Sequence, residues 1–260
     1  MRTFTEKPRV IAIIQARMGS TRLPGKSMAV ISGKPLLVHI IERINASKTI
    51  DTIIIATTQL SEDDVLEKLA IENHVACYRG STDDVLDRFY QAAKKFKADV
   101  IVRITADDPF KDPEILDSFV IYLLEHPGLD YVSNTIKPTY PEGLDIEVFR
   151  FGSLETAWRF AKLPSEHEHV TAFIWKNPNT FCCENIENDV DLSGYRWTLD
   201  YKEDLQFTKA IYEKLNNKGI FHMRDILNLL KKYPHLSEIN ANHQRNEGYL
   251  ASLKNEKIEE

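Results

Sequence analysis

Cysteine is scarce in this chain of 260 residues: Cys77 and the adjacent pair Cys182 and Cys183 make neither a disulfide framework nor a CxxC zinc motif. The three thiols read as packing groups of a protein in a reducing compartment, and the expected location is cytoplasmic. Long apolar runs are missing too. After the charged start from Met1 to Pro8, only Val10 to Ile14 is continuously apolar, too short for a signal-peptide core and far from the roughly 18 residues that cross a bilayer. Basic charge is not in excess: 33 Lys and Arg face 39 Asp and Glu, a net charge of −6, so no global field gathers a nucleic-acid backbone. Neither nucleic acid nor a membrane is an expected partner. Repeats and low-complexity runs are absent, and a composition 43% hydrophobic and 28% charged is that of an ordinary globule with a sizeable core.

What is present is an alternation of strands and helices. Val10 to Ile14 is a β-branched run, the mark of a strand buried on both faces, and it opens into a Gly/Ser/Pro loop from Ala16 to Lys26. Pro35 starts a helix through about Ala46, with Leu36, Leu37, Ile40, Ile41 and Ile44 at helical spacing, and Thr52 to Thr57 is the next strand. Ser61 then caps a helix through about Asn73, Val75 to Tyr78 is a strand, and Thr82 or Asp83 caps a helix through about Phe96. Asp99 to Thr105 is a strand that runs into Ala106-Asp107-Asp108-Pro109. This order predicts an α/β fold with a mixed, mostly parallel sheet, helices on both faces, and ligands beyond the carboxyl ends of the strands.

Beyond Pro113 the period changes. A helix to about His126 and a strand at Tyr131 to Ser133 precede Gly143 to Phe149, where Leu144, Ile146 and Val148 alternate with Asp145 and Glu147, as in a half-exposed strand. A helix from Ser153 to Lys162, a strand-like stretch from Tyr195 to Asp200 and a helix from Lys202 to Asn216 follow. Within a single domain spanning 1–260, residues of about 129–192 are expected to form an insertion or subdomain, and the polar tail of about 240–260 to fray.

Three constellations could carry chemistry. The loop Gln15-Ala16-Arg17-Met18-Gly19-Ser20-Thr21-Arg22-Leu23-Pro24-Gly25-Lys26 combines glycines, hydroxyls and three cations, which suits a polyphosphate: backbone N–H groups approach closely, and Arg17, Arg22 and Lys26 supply charge-assisted hydrogen bonds. It is not a Walker loop, because no glycine precedes Gly25-Lys26 at the required spacing. Asp107-Asp108 ends one apolar strand and Asp200 another, and Mg²⁺ wants few protein carboxylates beside phosphate oxygens and water. Asp200, preceding Lys202-Glu203-Asp204, reads equally well as a helix cap, whereas Asp112 before Pro113 is the better cap on its helix.

Taken together, Gln15 to Lys26, Gly80 to Arg88, Arg103 to Pro109, Gly143 to Phe149 and Thr198-Leu199-Asp200 resemble the cytidylyltransferases of the spore-coat-polysaccharide type, relatives of CMP-Kdo and CMP-acylneuraminate synthetases. The resemblance runs from about Val10 to Tyr212. It implies a Rossmann-like nucleotidyltransferase sheet of GT-A-like kind, a dimerising insertion and hence a homodimer, and Mg²⁺-dependent transfer of CMP from CTP to an acidic or modified sugar acceptor. By the same resemblance, Gln15, Ala16, Arg17, Met18, Gly19, Ser20, Arg22, Lys26, Ser81, Asp83, Arg88, Thr105, Ala106 and Asp107 border the nucleotide. Arg17, Arg22, Lys26 and Asp107 act in catalysis, and Asp107 and Asp200 hold the metal. Asp145, Glu147, His167, Glu168 and His169 lie towards the acceptor. Ala106 departs from a frequent glycine, and Asp108 is an extra carboxylate, a third ligand or a solvated neighbour.

Plainer readings stand beside these. Arg88 could bridge Asp84 at the surface, as i,i+4 pairs do. On a strand, His167 and His169 would share one face with Glu168 on the other, and no third ligand completes a zinc site. Phe173, Trp175 and Phe181 crowd a small subdomain, which favours burial in a dimer. A glycosyltransferase using a nucleotide-sugar donor is the rival enzyme, though Asp107-Asp108 lacks Asp-x-Asp spacing; a non-catalytic nucleotide-binding subunit is the non-enzymatic one.

Overall fold

The structure is a computed structural model describing residues 7–215 and 218–259. Its centre is Val10–Gln15 (β1), where period-two alternation sends Val10, Ala12 and Ile14 into one core and Ile11 and Ile13 into another. These five side chains are fully buried, and each large one contributes about 1.5–3 kcal/mol of transfer free energy. Strands Thr52–Thr58 (β4), Ala76–Gly80 (β5) and Val100–Thr105 (β6) run parallel to β1, in the order β5-β4-β1-β6. A small hairpin of Val30–Ile31 (β2) and Lys34–Pro35 (β3) precedes helix Leu36–Asn45 (α1). Helices Asp64–Glu72 (α2) and Val85–Lys95 (α3) complete the crossovers, and Asp84, not Thr82 or Asp83, caps α3 by accepting from Asp87 N at 2.8 Å.

The chain leaves β1 on one side for β4 and β5 and returns on the other as β6. The crevice outside the ends of β1 and β6 is therefore a topological switch point, and Gln15 and Thr105 sit side by side at its lip.

Residues 129–192 form no separate lobe. After helix Pro113–Glu125 (α4), strands Tyr131–Ser133 (β7), Glu147–Arg150 (β8) and Cys183–Asn185 (β9) extend the same sheet to seven strands, with β8 antiparallel between β6 and β7. The half-exposed reading of Gly143 to Phe149 is thereby corrected: the stretch is buried on both faces except at Asp145, and its acids are neutralised by cations rather than by water. The aromatics find cover inside the chain. Phe173, Trp175 and Phe181 pack with helices Phe151–Phe160 (α5) and Ala172–Lys176 (α7) in the core beneath α3.

His167 and Glu168 lie in or beside helix Pro164–Glu168 (α6), with His169 at its end, so the strand pattern expected there is replaced by two short helices. Tyr195 to Asp200 is extended without joining the sheet; a bridge from Arg196 to Glu142 holds it at one end, and Leu199 N donates to Asp107 O at 2.7 Å at the other. Gly143 allows that crossing, with φ +99° and a backbone so close that a Cβ would stand 2.7 Å from Thr198 N. Helices Lys202–Leu215 (α8) and Met223–Lys232 (α9) cover the first core. Within the polar tail, Glu247–Glu259 (α10) is a helix that lies against α6.

Candidate functional site

A cavity of about 920 Å³ opens at the switch point, floored by the ends of β1, β6 and β8 and walled by α10. The loop after β1 reaches it because its backbone is tied down. Met18 N donates to the buried Asp63 carboxylate at 2.7 Å, Gly25 N donates to Met18 O at 3.0 Å, and Gly25 takes φ +71° to make the turn. Asp63 in turn accepts from Thr58 N and Oγ1 at the end of β4, so one carboxylate joins the loop to the sheet. Burial alone would raise its pKa, but the hydrogen bonds from Thr58 and Met18 outweigh it and hold the value below the usual aspartate range.

Four charged groups meet at the centre. Lys26 Nζ donates to Asp107 Oδ2 and to Asp200 Oδ1, each at 2.7 Å, and Arg22 pairs with the other oxygen of Asp200 at 2.7 Å. Burial opposes charge on Lys26, but the Asp107 and Asp200 carboxylates outweigh it and raise its pKa. Burial also pushes Asp107 up, and Lys26 reverses this, bringing it to about 2. Asp200 is not the helix cap: that place is taken by Asp204, whose carboxylate accepts from Asp200 N and Tyr201 N at 2.9 Å and starts α8. The Asp200 side chain is left to face the cavity.

Asp108 goes the other way. It borders the cavity but is 5% exposed, pairs with Lys111 at 2.7 Å and accepts from Thr105 Oγ1 at 2.8 Å, so its carboxylate is not a solvated neighbour. Burial and the neighbouring Asp107 and Asp145 charges lift its pKa to about 7 against the pull of Lys111.

Of the other residues singled out in the sequence, Gln15, Ala16, Arg17, Ser20, Thr105, Ala106, Asp145, Glu147, Glu168 and His169 line the cavity. Arg17 is exposed and makes no ion pair among the described residues. Met18, Gly19, Ser81, Asp83, Arg88 and His167 do not form its wall. His167 turns to Asp84 at 2.8 Å, and Asp83 is exposed. Arg88 is no surface bridge: it is 1% exposed, donates to Ser81 O at 2.6 Å and keeps a buried Nε without a partner. Burial first, and then the Arg17 charge, pull its pKa to about 10. Asp63 and Asp84 offset part of this, and no carboxylate stands within ion-pair distance of either arginine among the described residues.

Several wall residues were missed in the sequence because their partners are far away along the chain. Arg103 pairs with Glu147, which also accepts from Tyr131 and Thr171. Arg196 forks onto Asp204 at 2.9 and 3.0 Å and reaches Glu142 at 2.8 Å. From α10, Glu247 accepts from Tyr201 at 2.7 Å, and Ser252 links His169 at 3.0 Å to Glu168 at 2.6 Å. The described residues offer one three-ligand cluster, Asp112, Glu114 and His222, behind the sheet; His167, Glu168 and His169 form none. Its Asp112 is the cap of α4, as the sequence indicated, accepting from Glu114 N at 3.0 Å.

A mostly parallel sheet with a cationic loop after its first strand and carboxylates at two further strand ends defines a Rossmann-like nucleotidyltransferase fold. The comparisons narrow the class. The cytidylyltransferase family model matches residues 11–258, and the chain belongs to that family. It is 40% identical over 238 residues to an uncharacterized protein of Methanocaldococcus jannaschii, covering 90% of this chain and 95% of that one. To the spore coat polysaccharide biosynthesis protein SpsF of Bacillus subtilis it is 35% identical over 232 residues, 86% and 95% of the two chains. A cytidylyltransferase structure from Leptospira borgpetersenii superposes with a TM-score of 0.86 at 34% identity, covering 92% of this chain and 99% of that one. No helix of the described residues is long and apolar enough to cross a membrane.

Proposed function

We propose that the protein transfers CMP from CTP to an oxygen of a sugar acceptor and releases pyrophosphate. The observation that carries this reading is the Asp107–Lys26–Asp200 bridge: residues from three distant stretches converge on one point at the switch crevice. Two oxygen-donor carboxylates within reach of one ammonium suit a hard cation such as Mg²⁺, with Asp107 and Asp200 as its protein ligands. When bound, Mg²⁺ would supply charge neutralisation at the phosphate oxygens.

The chain's own residues supply the remainder. The loop backbone at Ala16 and Arg17 faces the base, Arg17 and Arg22 hold the phosphates, and Lys26 keeps Asp107 ionised. The acceptor oxygen bonds to the α-phosphorus as the bond from that phosphorus to the bridging oxygen breaks. Pyrophosphate leaves with the electron pair, and the acceptor proton passes to water. Asp107 and Asp108 both border the cavity, but Asp108 is paired with Lys111 at 2.7 Å and the two lack Asp-x-Asp spacing, which argues against a glycosyltransferase metal motif.

The test is pyrophosphate release with each nucleoside triphosphate, Mg²⁺ and a sugar panel. CTP alone among them should support acceptor-dependent release, and Asp107→Asn should lower it at least about 100-fold, the scale of several kcal/mol of charge stabilisation. Release from ATP or GTP at an equal rate, or an active Asp107→Asn variant, would contradict the reading.

A further inference from the structure

Charge at the centre of the cavity is already balanced within the chain. Lys26 Nζ stands 2.7 Å from both Asp107 Oδ2 and Asp200 Oδ1, and Arg22 lies 2.7 Å from Asp200 Oδ2, with Arg196 behind it at 3.7 Å. Both oxygens of Asp200 and one of Asp107 are therefore covered by cations. Among the described residues Lys26 pairs with no carboxylate besides these two, and Arg22 has only Glu247, at 3.8 Å, as a second. Arg17 lines the same cavity, exposed and outside any ion pair among the described residues.

Two carboxylates facing one ammonium and one guanidinium sum to no net charge, and Arg17 tips the cavity positive, so a lone divalent cation gains little on approach. It would also compete with an ammonium held by two ion pairs for the very oxygens a hard cation needs. A triphosphate meets the opposite situation, since its oxygens accept charge-assisted hydrogen bonds from Lys26 and Arg22. Lys26 carries its charge on a flexible four-carbon stem, so the ammonium can change partners while the loop backbone stays put. That backbone is pinned by Met18 N on Asp63 at 2.7 Å and Gly25 N on Met18 O at 3.0 Å.

We propose that Lys26 is a lock on the metal site: it holds Asp107 and Asp200 until a triphosphate draws its ammonium away, so the two carboxylates open to a divalent cation only with the nucleotide. The free protein then binds divalent metal weakly, and nucleotide and metal bind with positive cooperativity, each raising the affinity for the other by the same factor. The inference rests on the CTP reading of the cavity and adds its order of assembly: the nucleotide arrives with the metal or ahead of it.

Mn²⁺, a paramagnetic substitute for Mg²⁺, reports its own binding to the whole protein by electron spin resonance, with no turnover needed. Lys26→Met and Lys26→Gln should each bind Mn²⁺ at least about tenfold more tightly than the wild type. That gain should vanish when Lys26→Met is combined with Asp107→Asn, a pair that keeps the Asp112, Glu114 and His222 cluster and so separates the two sites. Calorimetric titration of CTP in EDTA and in Mn²⁺ reads the reciprocal effect. Metal should improve CTP affinity by a several-fold larger factor in the wild type than in Lys26→Met, direct chelation of Mn²⁺ by CTP being common to both. Micromolar Mn²⁺ binding by the free wild type that Asp107→Asn abolishes would overturn the lock without recourse to a Lys26 variant. So would Mn²⁺ affinities, or a metal effect on CTP, that Lys26→Met leaves unchanged. CTP keeps the two claims apart: if it binds while the Mn²⁺ results go against the lock, only the lock falls; if CTP binds neither with nor without metal, the nucleotide reading falls and the lock with it.

Discussion

At the scale of single residues, the site is held by charges whose removal has opposite consequences. Arg196 is buried between Asp204, Glu142 and Asp200, and Asp204 is wholly buried. Burial alone would raise the Asp204 pKa, but Arg196, Asn240 and the Asp200 backbone N–H outweigh it, so the group stays ionised. Arg196→Met would leave that carboxylate without its cation, and a loss of about 3–5 kcal/mol in urea-measured stability is expected. His169 provides a pH signature. Its folded pKa of about 4 lies below the ordinary 6.5, so the unfolded chain binds the proton more readily. This contribution is complete above pH 6.5 and is lost as pH falls towards 4, up to about 3 kcal/mol. Stability measured across that range should decline in the wild type and decline less in His169→Gln.

At the scale of elements, the loops and helices differ in how far local sequence determines them. β1, α1, β4, β6 and β7 were legible because their signals are local: β-branched runs, helical spacing, a proline at a helix start. The loop from Ala16 to Lys26 and the strand-end aspartates were legible for the same reason. β8 was read as half exposed because its Asp145 and Glu147 look like solvent residues until Arg245 and Arg103, 100 and 44 positions away, are brought against them. Helix α10 escaped notice since its apolar residues, among them Tyr249, Leu250 and Leu253, gather on no single face and its anchors, Tyr201, His169, Glu168 and Ser165, belong to other elements.

That helix supplies wall rather than core, and its described residues belong to neither hydrophobic cluster. Truncation after Asn246 should leave a cooperative thermal transition and retain CTP binding. It should also return the His169 pKa from about 4 towards 6.5 in an NMR titration, because Tyr249 and Ser252 no longer cover the ring. An unchanged His169 titration would show that α10 does not close this side of the cavity.

At the scale of the whole molecule, two faces of one sheet carry two cores, and the switch between β4 and β6 on either side of β1 decides where a ligand binds. Of the crowded aromatics Phe181 is buried within the chain and Phe173 and Trp175 are partly buried there, which weakens the argument for a homodimer drawn from them. The dimer rests on the family resemblance, and Phe160 and Leu163, 61% and 42% exposed around the start of α6, offer an apolar contact. Light scattering at micromolar concentration should give twice the mass of one chain; a mass of one chain, unchanged on concentration, would refute the dimer.

The central claim is a CTP site at the switch crevice, and calorimetric titration with the four nucleoside triphosphates in Mg²⁺ tests it most directly. CTP is expected to bind more tightly than ATP, GTP or UTP, and Lys26→Ala to weaken CTP far more than CMP, because that ammonium serves the phosphate end. ATP or GTP binding as tightly as CTP, or an equal loss for CMP and CTP in Lys26→Ala, would contradict the account.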